Sequence, residues 1–133
     1  MLDGLWIATA APAVEAALAA MAARGPIAVV DAPRLARALT ARGRAVTALG
    51  ADDVAAGAAR FTTLIGVGAG ARADWAALLA AWAAALTDGG GLILVDRGAA
   101  VELSRRALCA GLTALEQRVA GRWIVTSGLV SRL

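Results

Sequence analysis

Residues Trp75 to Asp96 read W-A-A-L-L-A-A-W-A-A-A-L-T-D-G-G-G-L-I-L-V-D, and no other stretch limits the possible folds as much. Trp75, Leu78, Leu79, Trp82 and Leu86 recur at three- and four-residue spacing, which puts them on one face of a helix. The alanines between them favour helix because they lose no side-chain entropy. Asp88-Gly89-Gly90-Gly91 predicts the stop, since glycine enters positive φ without steric cost. Leu92, Ile93, Leu94 and Val95 follow with no polar interruption, the pattern of a strand covered on both faces. Helix, glycine turn and two-sided strand make half of an α/β unit. Trp75 and Trp82, seven residues apart, are expected in the contact between that helix and the sheet.

The remaining chain reads as further units of the same kind. An N-terminal helix is predicted over residues 13–23, with Pro12 in its first turn, where a missing N–H costs nothing. Leu5, Trp6 and Ile7 form an apolar patch before it. Residues 27–31 are a predicted strand, and Ala32-Pro33 turns it into a helix over 34–41 with Leu35 and Leu39 inward. Arg42-Gly43-Arg44 ends that helix, and residues 45–49 form a second strand closed by Gly50. Strand, helix and strand with so short a crossover predict a parallel pair. Asp52 or Asp53 is expected to cap a short helix reaching residue 60. A third strand is predicted over 61–67, Gly66, Gly68 and Gly70 loosen the loop that follows it, and Asp74 suits the N-terminal dipole of the next helix. A helix over 100–110 and two strands, 112–119 and 123–130, around the turn Ala120-Gly121-Arg122 finish the chain.

Composition excludes more chemistry than it suggests. The 133 residues suffice for one domain with a sizeable core. All 13 basic residues are arginine, a bias that points to GC-rich coding rather than to selected arginine chemistry, and the net charge is only +3. The arginines are scattered, and the densest group, Arg34, Arg37, Arg42 and Arg44, reads as the wet face of a helix and its exit. No nucleic-acid partner is therefore expected. The absence of histidine removes Cys-His and Ser-His-Asp catalysis and His-ligated metals. Cys109, the single cysteine, rules out an internal disulfide, fits a reducing compartment and is expected as a buried, inert thiol. The longest charge-free apolar run, residues 75–86, is too short to span a bilayer, and no basic residue precedes the N-terminal apolar stretch. A cytoplasmic protein with no membrane contact is expected.

The segment Leu86-Thr87-Asp88-Gly89-Gly90-Gly91-Leu92-Ile93-Leu94-Val95-Asp96 resembles the helix end, proline-glycine-glycine turn and fifth strand of the class I methyltransferases. That family binds S-adenosylmethionine on a Rossmann-like sheet, and Asp88 stands where it often has proline. Ala110-Gly111-Leu112 and the hairpin over 115–131 are similar to the family's terminal helix and antiparallel hairpin. The resemblance covers nearly the whole chain. It implies a three-layer α/β sheet, mostly parallel with a C-terminal antiparallel β-hairpin, in a single domain over 1–133. Within it, residues 1–25 would form an N-terminal helical segment, 26–98 the parallel βαβ core and 99–133 the last helix and hairpin.

The resemblance also implies where a cofactor would lie. The matching positions are Asp31, Ala32 and Pro33 after the first strand, and Gly50 and Asp52 after the second. The family's Gly-x-Gly-x-Gly loop is replaced by Ala32-Pro33-Arg34, where proline removes a donor and stiffens the turn. The second strand ends in Leu49-Gly50 where the family holds the ribose with an acidic residue, and Asp52 follows two residues later. About a dozen residues separate this strand from Phe61, too few for another strand and helix. The family's third strand is therefore expected to be missing, leaving an exposed edge at 45–49 of the kind proteins usually pair or cap.

Three functions are open at this point. The first is a non-catalytic methyltransferase-like domain, without cofactor, metal or catalytic residues, that binds a protein partner or self-associates. The second is an S-adenosylmethionine-dependent methyltransferase with a reduced site, working by positioning, with Asp31, Asp52 and Asp96 as the carboxylates at the strand ends. The third is another small-ligand module, with Gly66-Val67-Gly68-Ala69-Gly70 cradling a phosphate.

Overall fold

A computed structural model describes residues 7–21, 25–50, 54 and 61–130 of the chain. A 3-10 turn (Ile7–Ala10) leads into helix α1 (Ala11–Ala20), followed by strand β1 (Ile27–Val30), helix α2 (Pro33–Ala41) and strand β2 (Val46–Leu49). Strand β3 (Phe61–Val67), a second 3-10 turn (Ala69–Ala71), helix α3 (Trp75–Ala84) and strand β4 (Leu86–Asp96) come next. Helix α4 (Ala100–Cys109) and strands β5 (Leu112–Ala120) and β6 (Trp123–Val130) complete it. Among the described residues the strands form one six-stranded sheet in the order β2-β1-β3-β4-β6-β5. β2, β1, β3 and β4 run parallel, while β6 is antiparallel to β4 and β5.

Side-chain alternation along the strands builds two apolar layers, one on each face. Ile27, Val29, Ile65, Ile93, Val95 and Val125 face α1 and α2, meeting Val14, Leu18, Leu35 and Leu39. Ala28, Val30, Leu64, Leu92 and Leu94 face the other way, against Leu79 and Trp82 of α3 and Ala107 of α4. This is why Ile27–Val30 and Leu92 to Val95 carry no polar residue: both faces are covered. Each fully buried Leu, Ile or Val contributes about 1.5–3 kcal/mol relative to exposure. The expected three-layer α/β sheet with its antiparallel finish is what the chain forms. β2 lies at the edge, with Thr47 and Ala48 exposed.

Several local expectations are corrected. Leu86 belongs to β4 and not to the helix, since α3 ends at Ala84 and Leu86 already pairs with Phe61. The glycine run is therefore a bulge within a strand. Two residue steps on β3, Phe61 to Thr63, are matched by five on β4, Leu86 to Gly91, and Gly89 takes φ +77° to make that detour. Gly66 does not loosen a loop: it is a buried residue of β3, lying under the Trp82 ring. Cys109 is exposed at the end of α4, because Ala107, not Cys109, turns inward there. The expected helix after Asp52 falls outside the described residues except for Val54, which is helical and buried. The apolar positions Leu5 and Trp6 also lie outside them, whereas Ile7 is buried in the first layer.

The hairpin follows the expectation closely, β5 running through Ala120 and β6 starting at Trp123. Trp82 and Trp123 are buried, and Trp75 is half-buried at the rim of the second layer. Arg34, Arg37 and Arg42 are exposed as expected, but Arg44 reaches across to Glu15 of α1 at 2.7 Å.

Candidate functional site

In an open parallel sheet, ligands bind beyond the carboxyl ends of the strands where the chain reverses its direction of travel across the sheet. Here the chain moves outward from β1 to β2 and then returns past β1 to β3, so the crevice lies between the ends of β1 and β3. Asp31-Ala32-Pro33 stands on one side and Gly68-Ala69-Gly70 on the other.

The β1 side is a turn of two residues. Asp31 is exposed at φ +54°, a left-handed conformation that aspartate tolerates better than most side chains. Its N–H donates to the Leu49 carbonyl at 2.8 Å, tying the end of β1 to β2. Ala32 is buried, and its carbonyl accepts the first helical hydrogen bond from Ala36 at 3.0 Å. Pro33 is the first residue of α2 and has no N–H to offer. Gly50 sits beyond β2, with its carbonyl accepting from Val54 N–H at 3.3 Å. Asp31, Ala32, Pro33 and Gly50 thus gather at one end of the sheet, while Asp52 lies outside the described residues.

The β3 side is held by side chains distant in sequence. Asp96, the last residue of β4, is completely buried, and its Oδ1 accepts a hydrogen bond from Gly70 N–H at 3.0 Å. A Cβ on Gly70 would lie 2.8 Å from Asp96 Oδ2 and 3.0 Å from Leu103, so only glycine lets the loop come this close. Arg106 of α4 donates to the Gly70 carbonyl through Nη1 and to Glu102 through Nε at 3.1 Å. Its guanidinium lies 5.3 Å from the centre of the Trp75 ring, a cation–π contact. Loop, β4, α3 and α4 are therefore laced together at one point. Arg105 also donates to Glu102, at 3.0 Å through Nε. That hydrogen bond is the chief reason why the Glu102 carboxyl is held down at about 2; partial desolvation opposes it, and Arg106 adds a second donor.

The two strand-end carboxylates in the described residues differ in what they can do. Asp31 faces solvent and could accept a hydrogen bond from a hydroxyl. Asp96 is sealed and already engaged with the loop. The glycine loop holds this carboxylate of its own, which disfavours a phosphate in the same cradle. Among the described residues no group of three or more metal-ligating side chains forms. No helix there is long and apolar enough to cross a membrane. Asp96 and the Gly68–Gly70 loop were legible as candidates, but Arg106 was not. It acts on a carbonyl 36 positions away, a separation that leaves no local pattern.

No family model and no curated protein matches the chain. Solved structures do. The Burkholderia thailandensis 1,6-didemethyltoxoflavin-N1-methyltransferase, with 1,6-didemethyltoxoflavin and S-adenosylhomocysteine bound, is similar at TM-score 0.76 and 17% identity, over 96% of this chain and 81% of that one. A chain in the Haloferax volcanii complex of the Trm112 methyltransferase activator with a methyltransferase gives TM-score 0.68 and 14% identity, over 98% and 93%. The T. thermophilus 16S rRNA N2 G1207 methyltransferase in complex with AdoMet and guanosine gives 0.53 and 21%, over 83% of this chain. The chain spans 36% of that last enzyme's length. The protein has the class I S-adenosylmethionine-dependent methyltransferase-like fold.

Proposed function

We propose that this chain is a methyltransferase-like domain that has given up catalysis and works as a protein-binding, scaffolding or self-association module. The observation that carries this reading is the two-residue turn after β1. Close approach of a cofactor to this backbone needs free N–H groups and small residues, as in Gly-rich turns. Here the Asp31 N–H is committed to Leu49, Ala32 is buried, and Pro33 has no donor. Asp31, Ala32, Pro33, Gly50 and Asp52 are on this reading the vestige of a cofactor site. The sealed Asp96 and the exposed edge of β2 support the same assignment.

Calorimetric titration with S-adenosylmethionine and S-adenosylhomocysteine, paired with thermal unfolding, tests it. No heat of binding and an unchanged Tm are expected. Micromolar binding of either compound overturns it.

A second reading is a methyltransferase whose S-adenosylmethionine site is completed by another subunit. It is favoured by the similarity to a chain from a complex that contains a methyltransferase activator. The same titration repeated with an identified partner present distinguishes the two.

A further inference from the structure

The two edges of the sheet are built differently. β5, at one edge, runs for nine residues but carries the features that discourage pairing with another chain. Its register shifts between Thr113 and Glu116, Ala114 takes φ +53°, and Glu116 and Arg118 place charges along it. β2, at the other edge, has no charge, no proline and no bulge in Val46–Leu49. Its mid-strand side chains, Thr47 and Ala48, are exposed, and among the described residues only β1 pairs with it.

The surroundings of β2 are also polar in the electrical sense. Arg42 stands exposed at its entry and makes no ion pair with the described residues, while neighbouring Arg44 is committed to Glu15. Asp31 stands exposed at its exit, hydrogen-bonded through its N–H to Leu49. A parallel neighbour would set like charges beside like. An antiparallel neighbour related by a two-fold axis would set the Arg42 end of one copy towards the Asp31 end of the other.

We propose that the free edge of β2 pairs antiparallel with the same edge of a second copy, joining two sheets into one across a two-fold axis. This rests on the self-association reading above and supplies its contact. An isologous edge-to-edge contact satisfies the outer backbone groups of both strands at once. Four residues a side make a short contact, so the dimer dissociates on dilution.

Light scattering coupled to size exclusion, over a range of loading concentrations, reads the outcome directly. The wild type should show a dimer fraction that rises with concentration and falls with added salt. Ala48→Lys and Thr47→Lys, which alter exposed side chains only, should be monomeric with an unchanged Tm. A Thr47→Cys variant in a Cys109→Ser background should form a covalent dimer on mild oxidation, and Thr113→Cys in the same background should not. A wild-type monomer at every concentration, or a dimer indifferent to both lysine variants, overturns the edge pairing. Neither result touches the module reading, which falls only to cofactor binding in the calorimeter.

Discussion

Gly66 sits inside β3 with no room for a side chain, because the Trp82 ring from α3 lies directly against it. Glycine in a strand interior normally weakens the strand, so its presence marks a close approach. The indole Nε1 of Trp82 is buried without a hydrogen-bond partner among the described residues, so the ring serves packing and not polar recognition. Gly66→Ala should therefore overpack the site and cost about 1–3 kcal/mol in guanidinium unfolding. Combining it with Trp82→Phe, which shortens the ring and removes the unsatisfied donor, should recover part of that loss. If Gly66→Ala alone is neutral, the ring is free to move and the contact does not order this face. Asp31 makes the complementary case: its positive φ places a polar residue at a turn where an alanine or valine would be strained.

At the scale of elements, α4 is fastened by its own charge pattern. Glu102 accepts from Arg105 at i+3 and Arg106 at i+4, and Arg106 continues to the Gly70 carbonyl and the Trp75 ring. The Glu102 carboxyl is held at about 2 against an ordinary 4.5. A carboxyl with a lowered folded-state pKa stabilises the fold above its unfolded value and loses that contribution as pH falls through the folded one. Urea midpoints should therefore decline for the wild type between about pH 4.5 and 2 by more than for Glu102→Gln. Equal declines would mean that the arginines do not act on Glu102 in solution. The pair is half-exposed, so the difference should be small and should shrink further with salt. β4 is the contrasting element, kept by apolar packing and by backbone pairing with β3 and β6, with its bulge absorbed at Gly89 so that Leu92 to Val95 stay in register with β3.

Over the whole molecule, stability should be graded outward from the middle of the sheet. β3 and β4 are covered on both faces and paired on both sides, while β2 is paired with β1 alone among the described residues. Native-state hydrogen exchange should leave the amides of Leu64, Ile65 and Leu92 to Val95 slowest, and those of Val46 to Leu49 among the fastest of the strand amides. Slow exchange in β2 at high protein concentration, lost on dilution, would be the signature of the paired edge. Much of this architecture was legible in the sequence. Two-sided apolar runs, the four-residue spacing of Leu35 and Leu39, and the short gap before Phe61 are local facts about neighbours in the chain. They determined most of the elements, the parallel pairing and the antiparallel finish and, with the family resemblance, the edge position of β2. Tertiary structure alone decided that Gly66 is a floor for Trp82, that Leu86 joins a strand, that Cys109 faces out, and that Asp96 and Arg106 seal the Gly70 loop. Each of those outcomes depends on which surfaces meet across the fold, and contacts between residues tens of positions apart leave no periodic trace in either segment.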